Sequence, residues 1–152
     1  MVGKNKDSKV EEARRQVRAD LPLRIRVAGA IELNGETVHF TGKVVDHGEG
    51  STPGGIEQFV VVATATGTEY TVRPASVRAL PKLTPARTAA LLAIAGNGGT
   101  VSYDLTSIGS IGVHGNAVHG LRSIGLLGFS GSRLALTTDG ELIAGALAAE
   151  AA

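Results

Sequence analysis

The sequence contains no cysteine and no tryptophan, and it has only two tyrosines and three phenylalanines in 152 residues. Without thiols, a disulfide framework, a thiolate zinc site and a cysteine nucleophile are all excluded. With so few aromatic rings, a core must be assembled from Ala, Val and Leu, each of which buries little area, so modest stability is expected. No apolar run approaches membrane-spanning length, and the opening residues MVGKNKDSKVEEARR contain no apolar h-region. These features lead us to expect a soluble, cytoplasmic protein with no membrane partner.

Catalytic signatures are also missing. Gly109, Gly112, Gly115 and Gly120 match neither G-x-G-x-x-G nor a phosphate-binding loop, and neither G-K-[ST] nor G-x-S-x-G occurs. Four histidines are present. His114 and His119 are five residues apart, about 140° on a helix, which is wrong for chelation from one face. His39 and His47 lie near Asp46 and Glu49, but loop histidines of this kind are ordinarily solvated. No spacing of Ser, His and Asp makes a triad. The chain is therefore expected to be non-enzymatic, with no metal and no cofactor.

What the sequence does have is an uneven charge distribution. Residues 1–26 hold eight Lys/Arg and four Asp/Glu, residues 27–81 hold three and six, and residues 82–152 hold four of each. The basic footprint of a nucleic-acid binder is thus confined to the N-terminal segment. There Ser8-Lys9-Val10-Glu11 reads as a capping box, predicting a helix from Lys9 to about Ala19 that ends before Pro22. Its apolar stripe, Val10, Ala13 and Val17, is thin. Arg14, Arg15 and Arg18 decorate the rest. Residues 1–22 are expected to be a basic arm, either solvated or laid on phosphates or a partner protein.

Residues 23–81 change period. Leu23, Ile25 and Val27 alternate with arginines, Val38 and Phe40 flank His39, and Tyr70 and Val72 alternate with polar residues. Asn34-Gly35 is a strong hairpin signal and Thr66-Gly67 a second turn. The stretch HGEGSTPGG, 47–55, reads as a long flexible loop between strands. The ending YTVRPASVRAL resembles the last part of an SH3-like or Tudor-like barrel, with one helical turn at Pro74-Ala75-Ser76 between two strands. That resemblance implies a small antiparallel barrel. It does not imply peptide or methyl-lysine binding, because Phe40, Phe59 and Tyr70 do not make an aromatic cage.

Beyond Pro81-Lys82 the pattern becomes helical. Thr84 is an N-cap with Pro85 at the first helical position, and Asn97-Gly98-Gly99 closes the helix. A short element containing Leu105 and Ile108 starts at Val101-Ser102. A third helix is expected over about 113–124, with Gly125 as its C′ residue. A tight hairpin then runs through Leu126–Phe129, Ser130-Gly131-Ser132 and Arg133–Leu136. Thr138-Asp139-Gly140-Glu141 reads as a capping box for a last helix.

The segments LTPARTAALLAIAGNGG, LRSIGLL and RLALTTDGELIAGAL in this order resemble a winged helix-turn-helix domain of the MarR-like regulators. The resemblance implies an α+β protein with an N-terminal helix, a small SH3-like barrel at 23–81 and a winged helix at 82–152. On a helical projection of about 100° per residue, Val113, Ala117, Leu121 and Ile124 form the buried stripe with Val118 beside it. Gly115, Asn116, His119, Arg122 and Ser123 fall opposite, on the side the resemblance directs into a DNA major groove. Asn pairs bidentately with adenine and Arg with guanine. His114 lies nearer the apolar side. Tyr103, Thr106 and Ser107 before this helix, and Ser130, Ser132 and Arg133 in the wing, could hydrogen-bond phosphates.

The expectation is a DNA-binding protein, a transcriptional regulator whose partner is double-stranded DNA. The alternative is a structural adaptor, of phage or mobile-element kind, whose winged helix and barrel bind proteins. An RNA-associated factor using the barrel edge is a third. Two features favour the alternative: the four basic residues of 82–152 neutralise few phosphates, and Gly115 and Gly120 weaken a reading helix by about 1 kcal/mol each. The first helix and the alanine-rich LIAGALAAEAA are the expected homodimer surfaces.

Overall fold

A computed structural model of the protein describes the backbone of residues 2–151 and the side chains of residues 8–151. The protein is a mixed α+β chain whose sheets are antiparallel. It divides into two compact units, Met1–Leu80 and Pro81–Ala152.

The first unit opens with α1, Val2–Asp20. This helix starts ahead of Ser8, so the Ser8–Glu11 pattern lies inside it and does not launch it. Its C-terminal end is docked rather than solvated. Val17 packs against the sheet core, and Leu21, just beyond the helix, is itself part of that core. The Leu21 carbonyl lies 2.7 Å from His47 Nε2.

Five strands follow: β1 Arg26–Leu33, β2 Glu36–Thr52, β3 Gly55–Ala63, β4 Glu69–Val72 and β5 Val77–Ala79, with a 3-10 turn at Pro74–Ser76 before the last. Their order across the sheet is β4-β3-β2-β1-β5. The expected closed barrel is not formed. The sheet is open, because β4 and β5 occupy its two outer positions and pair inwards with β3 and β1. Val27, Phe40, Val44, Val60, Val62, Val72 and Val77, drawn from all five strands, still meet in one core. Each such side chain contributes about 1.5–3 kcal/mol on burial. Gly42 lets β2 approach β3 there, since a Cβ at this position would run into the Ala63 carbonyl.

The β1–β2 turn falls at Asn34-Gly35, both with positive φ, between the paired Leu33 and Glu36. Residues 47–55 are not a flexible loop. After a bulge between Val44 and Asp46, β2 stays paired with β3 from Asp46↔Val61 to Thr52↔Gly55, reversing through Pro53-Gly54. Of the glycines that suggested a loop, one has a packing role instead. Gly50 leaves the space that the Phe59 ring occupies, and the ladder bonds satisfy the backbone. Arg14 of α1 bonds to Glu49 of this ribbon, to which Gln58 also donates. These two hydrogen bonds, Arg14 first, hold the Glu49 carboxyl below the usual carboxylate range.

The second unit runs α2 Pro85–Gly96, β6 Thr100–Ser102, α3 Leu105–Ser110, α4 Gly115–Ser123, β7 Leu127–Ser130, β8 Arg133–Leu136 and α5 Thr138–Ala151. Thr84 caps α2 by accepting a hydrogen bond from the Arg87 amide. Val101-Ser102, read as the start of a helical element, belongs instead to β6. Gly98 and Gly99, both at positive φ, turn the chain so that Val101 pairs with Leu134. The hairpin is therefore part of a three-stranded sheet, order β6-β8-β7.

Gly125, at positive φ, ends α4, and the Leu126 amide reaches back to the Leu121 carbonyl. Thr137, one residue ahead of the expected box, caps α5 by accepting from the Gly140 amide, while its hydroxyl donates to the Gly125 carbonyl. One threonine thus fastens the end of α4 to the start of α5. Leu91, Ile94, Leu121, Leu134 and Ile143 are the largest wholly buried side chains of this unit.

Candidate nucleic-acid interface

α4 is short and amphipathic. Ala117, Val118, Gly120 and Leu121 are its buried residues, and Val113 just ahead of it is buried too. Ile124, placed in the stripe by helical spacing, is 40% exposed because the helix has ended and Ile124 is already its C-cap. Gly120 faces inwards, not towards a ligand. The Arg87 guanidinium of α2 fills the space a Cβ would take.

The other flank is open. Gly115, Asn116, His119 and Ser123 are exposed, and Arg122 is half-buried. His114 is exposed at the N-cap, so it leaves the apolar side that helical spacing gave it. The Ser123 hydroxyl is spent on the Gly120 carbonyl of its own helix, at 2.7 Å.

Before α4, the Asp104 carboxylate caps α3. It accepts from the Ser107 amide at 2.7 Å and from the Ser107 hydroxyl at 2.9 Å. These bonds, the amide first, hold its carboxyl below the usual range. Ser107 is thereby committed to the cap, whereas Thr106 is exposed. On the hairpin, Ser130 and Ser132 sit exposed around the Gly131 turn. Arg133 lies back across the sheet, its guanidinium donating to Ser102 Oγ and Thr100 Oγ1, both at 3.0 Å.

Sequence reasoning missed the feature that ties these parts together. The Arg122 guanidinium lies over the face of the Phe129 ring of β7, 4.2 Å from its centroid. Tyr103 meets the same ring edge-on at 5.0 Å. Beside this stack is a groove of about 270 Å³ lined by Tyr103, Leu105, Ile108, Val118, His119 and Arg122. Leu105 is 86% exposed, Tyr103 53% and Phe129 50%. A signal for Phe129 existed. It pairs with Leu134 and sits two residues from buried Leu127, so period-two alternation turns it to the same face as both.

The basic arm lies in the other unit. Arg15 and Arg18 are exposed, while Arg14 is bonded to Glu49. Arg18, His47 and Gln58 line a shallow pocket of about 310 Å³ there. Among the described residues no group of three or more His, Cys, Asp or Glu could hold a metal, and no helix is long and apolar enough to cross a membrane. Comparison with protein-family models, with curated proteins and with solved structures found no match to this chain.

Proposed function

We propose that the protein is a non-enzymatic binder of double-stranded DNA, acting in transcriptional regulation through a winged helix in the unit Pro81–Ala152. The order helix, strand, helix, helix, two strands, helix supports this reading. The observation that carries it is the polar flank of α4, where Asn116 and His119 are exposed and half-buried Arg122 lies against Phe129 of the β7–β8 hairpin. Asn116 and Arg122 have the donor patterns that match adenine and guanine edges. The exposed tip serines, Thr106 and Tyr103 supply neutral phosphate contacts. In the same proposal the open sheet of the first unit is SH3-like, on the strength of its strand, 3-10 turn and strand ending, and Arg15 and Arg18 lie on phosphates.

A second reading, a protein-binding adaptor, draws on the exposed Leu105, Tyr103 and Phe129, an apolar surface beside the same helix. A mobility-shift titration of a random-sequence duplex pool separates the two. Binding should weaken steeply with salt and fall at least tenfold in the double variant His119→Ala, Arg122→Ala, about 1.4 kcal/mol. An unchanged shift in that variant, with one protein co-purifying with the wild type, favours the adaptor.

A further inference from the structure

We infer that Phe129 is a positioning residue that presents Arg122 to a guanine, so that the ligand class of this site is duplex DNA carrying a guanine in the major groove. This rests on the DNA-binding reading above. An arginine on a helix flank ordinarily samples many rotamers, and ordering it on a base opposes binding. Here the guanidinium is already held over the Phe129 face, and Tyr103 braces that ring from its edge. Among the described residues the Arg122 guanidinium makes no hydrogen bond and no ion pair. A cation held over a ring face occupies no side-chain acceptor, so the N–H donors directed away from the ring are left unspent. Those donors match guanine O6 and N7 in the bidentate pairing that is the commonest specific major-groove contact.

Arg133 has spent donors on Ser102 and Thr100. Arg122 is thus the arginine of this unit that is oriented on a ring face with its donors unspent, whereas the Arg87 guanidinium is packed inwards against Gly120. It also comes from one element while its support comes from another, so base recognition by α4 is coupled to the placement of β7.

The test uses the full chain and duplexes that the wild-type protein enriches from a random-sequence pool. Replacing the enriched guanine by 7-deazaguanine removes the N7 acceptor. It should weaken wild-type binding about tenfold and leave Arg122→Ala and Arg122→Lys nearly indifferent. Phe129→Leu keeps the apolar bulk and loses the ring face. It should lower affinity for the guanine duplex about two- to fivefold, shrink the 7-deazaguanine effect, and leave affinity for unrelated duplex and its salt slope unchanged. Phe129→Trp should restore discrimination. Equal weakening of guanine and 7-deazaguanine duplexes by Phe129→Leu would overturn the inference, as would enriched duplexes with no common guanine. Failure of the wild type to bind any duplex would instead remove the DNA-binding reading itself, and this inference with it.

Discussion

Gly140 and Gly120 both lie inside helices, yet they differ in what a methyl group would strike. At Gly140 a Cβ meets the Leu126 carbonyl, which is backbone and cannot step aside. At Gly120 it meets the guanidinium end of Arg87, a flexible side chain. Gly140→Ala should therefore destabilise the second unit by about 1–3 kcal/mol, read by urea unfolding. Gly120→Ala should change stability far less, because Arg87 swings away and the helix gains propensity. Equal losses in the two variants would contradict this account of the close approach between α5 and the chain leaving α4. Neither effect is legible in the sequence, where Gly120 reads as a poor helix former and Gly140 as part of a capping box. The contacts that distinguish them come from elements distant in the chain.

Among elements, α3 depends on its cap more than any other helix, since six residues give it few internal hydrogen bonds. Asp104 supplies that cap, and its carboxyl is held below the usual range by the Ser107 amide, then the Ser107 hydroxyl and the Thr106 amide. A depressed folded-state value means the charged cap stabilises fully above the ordinary aspartate value of about 3.9. The contribution is lost as pH falls through the lower, folded-state value. Asp104→Asn keeps a good cap without the titration. Wild type should thus be the more stable at neutral pH, and the gap should close as acid is added, as followed by thermal melts over a pH series. A gap independent of pH would rule out the charged cap.

Two helix boundaries with strong local signals are where the sequence puts them, although the Ser8–Glu11 box lies inside α1 and the α5 cap falls one residue early. Thr84-Pro85 starts α2 and Gly125 ends α4, because caps and turn glycines act within a few residues. The Asn34-Gly35 turn is local in the same way. The paired ribbon at 47–55 and the strand at Thr100–Ser102 were not legible, since each is stabilised by a partner strand rather than by its own residues. The Arg122–Phe129–Tyr103 stack was hidden for the same reason. It joins two elements and the bend between β6 and α3, and helical projection treats each segment alone.

At the scale of the whole molecule, charge decides how the protein could hold a polyanion. The unit Pro81–Ala152 has four Lys/Arg and four Asp/Glu, and Arg133 and Arg87 are engaged within it. Each phosphate neutralised adds about 0.9 to the slope of log affinity against log salt. If this unit alone meets DNA, the slope should be no steeper than about −4, measured by fluorescence anisotropy at several salt concentrations. A steeper slope would place Arg15 and Arg18 of the first unit on phosphates as well. The scarcity of aromatic residues has a last, practical consequence. With no tryptophan, the two tyrosines dominate the near-ultraviolet emission of the chain, and they fall one to each unit: Tyr70 stacked on Phe40, Tyr103 against Phe129. The native protein thus carries its own pair of optical reporters, one on the core of the sheet and one on the edge of the groove. Quenching of Tyr103 by a bound partner can be followed without attaching a dye.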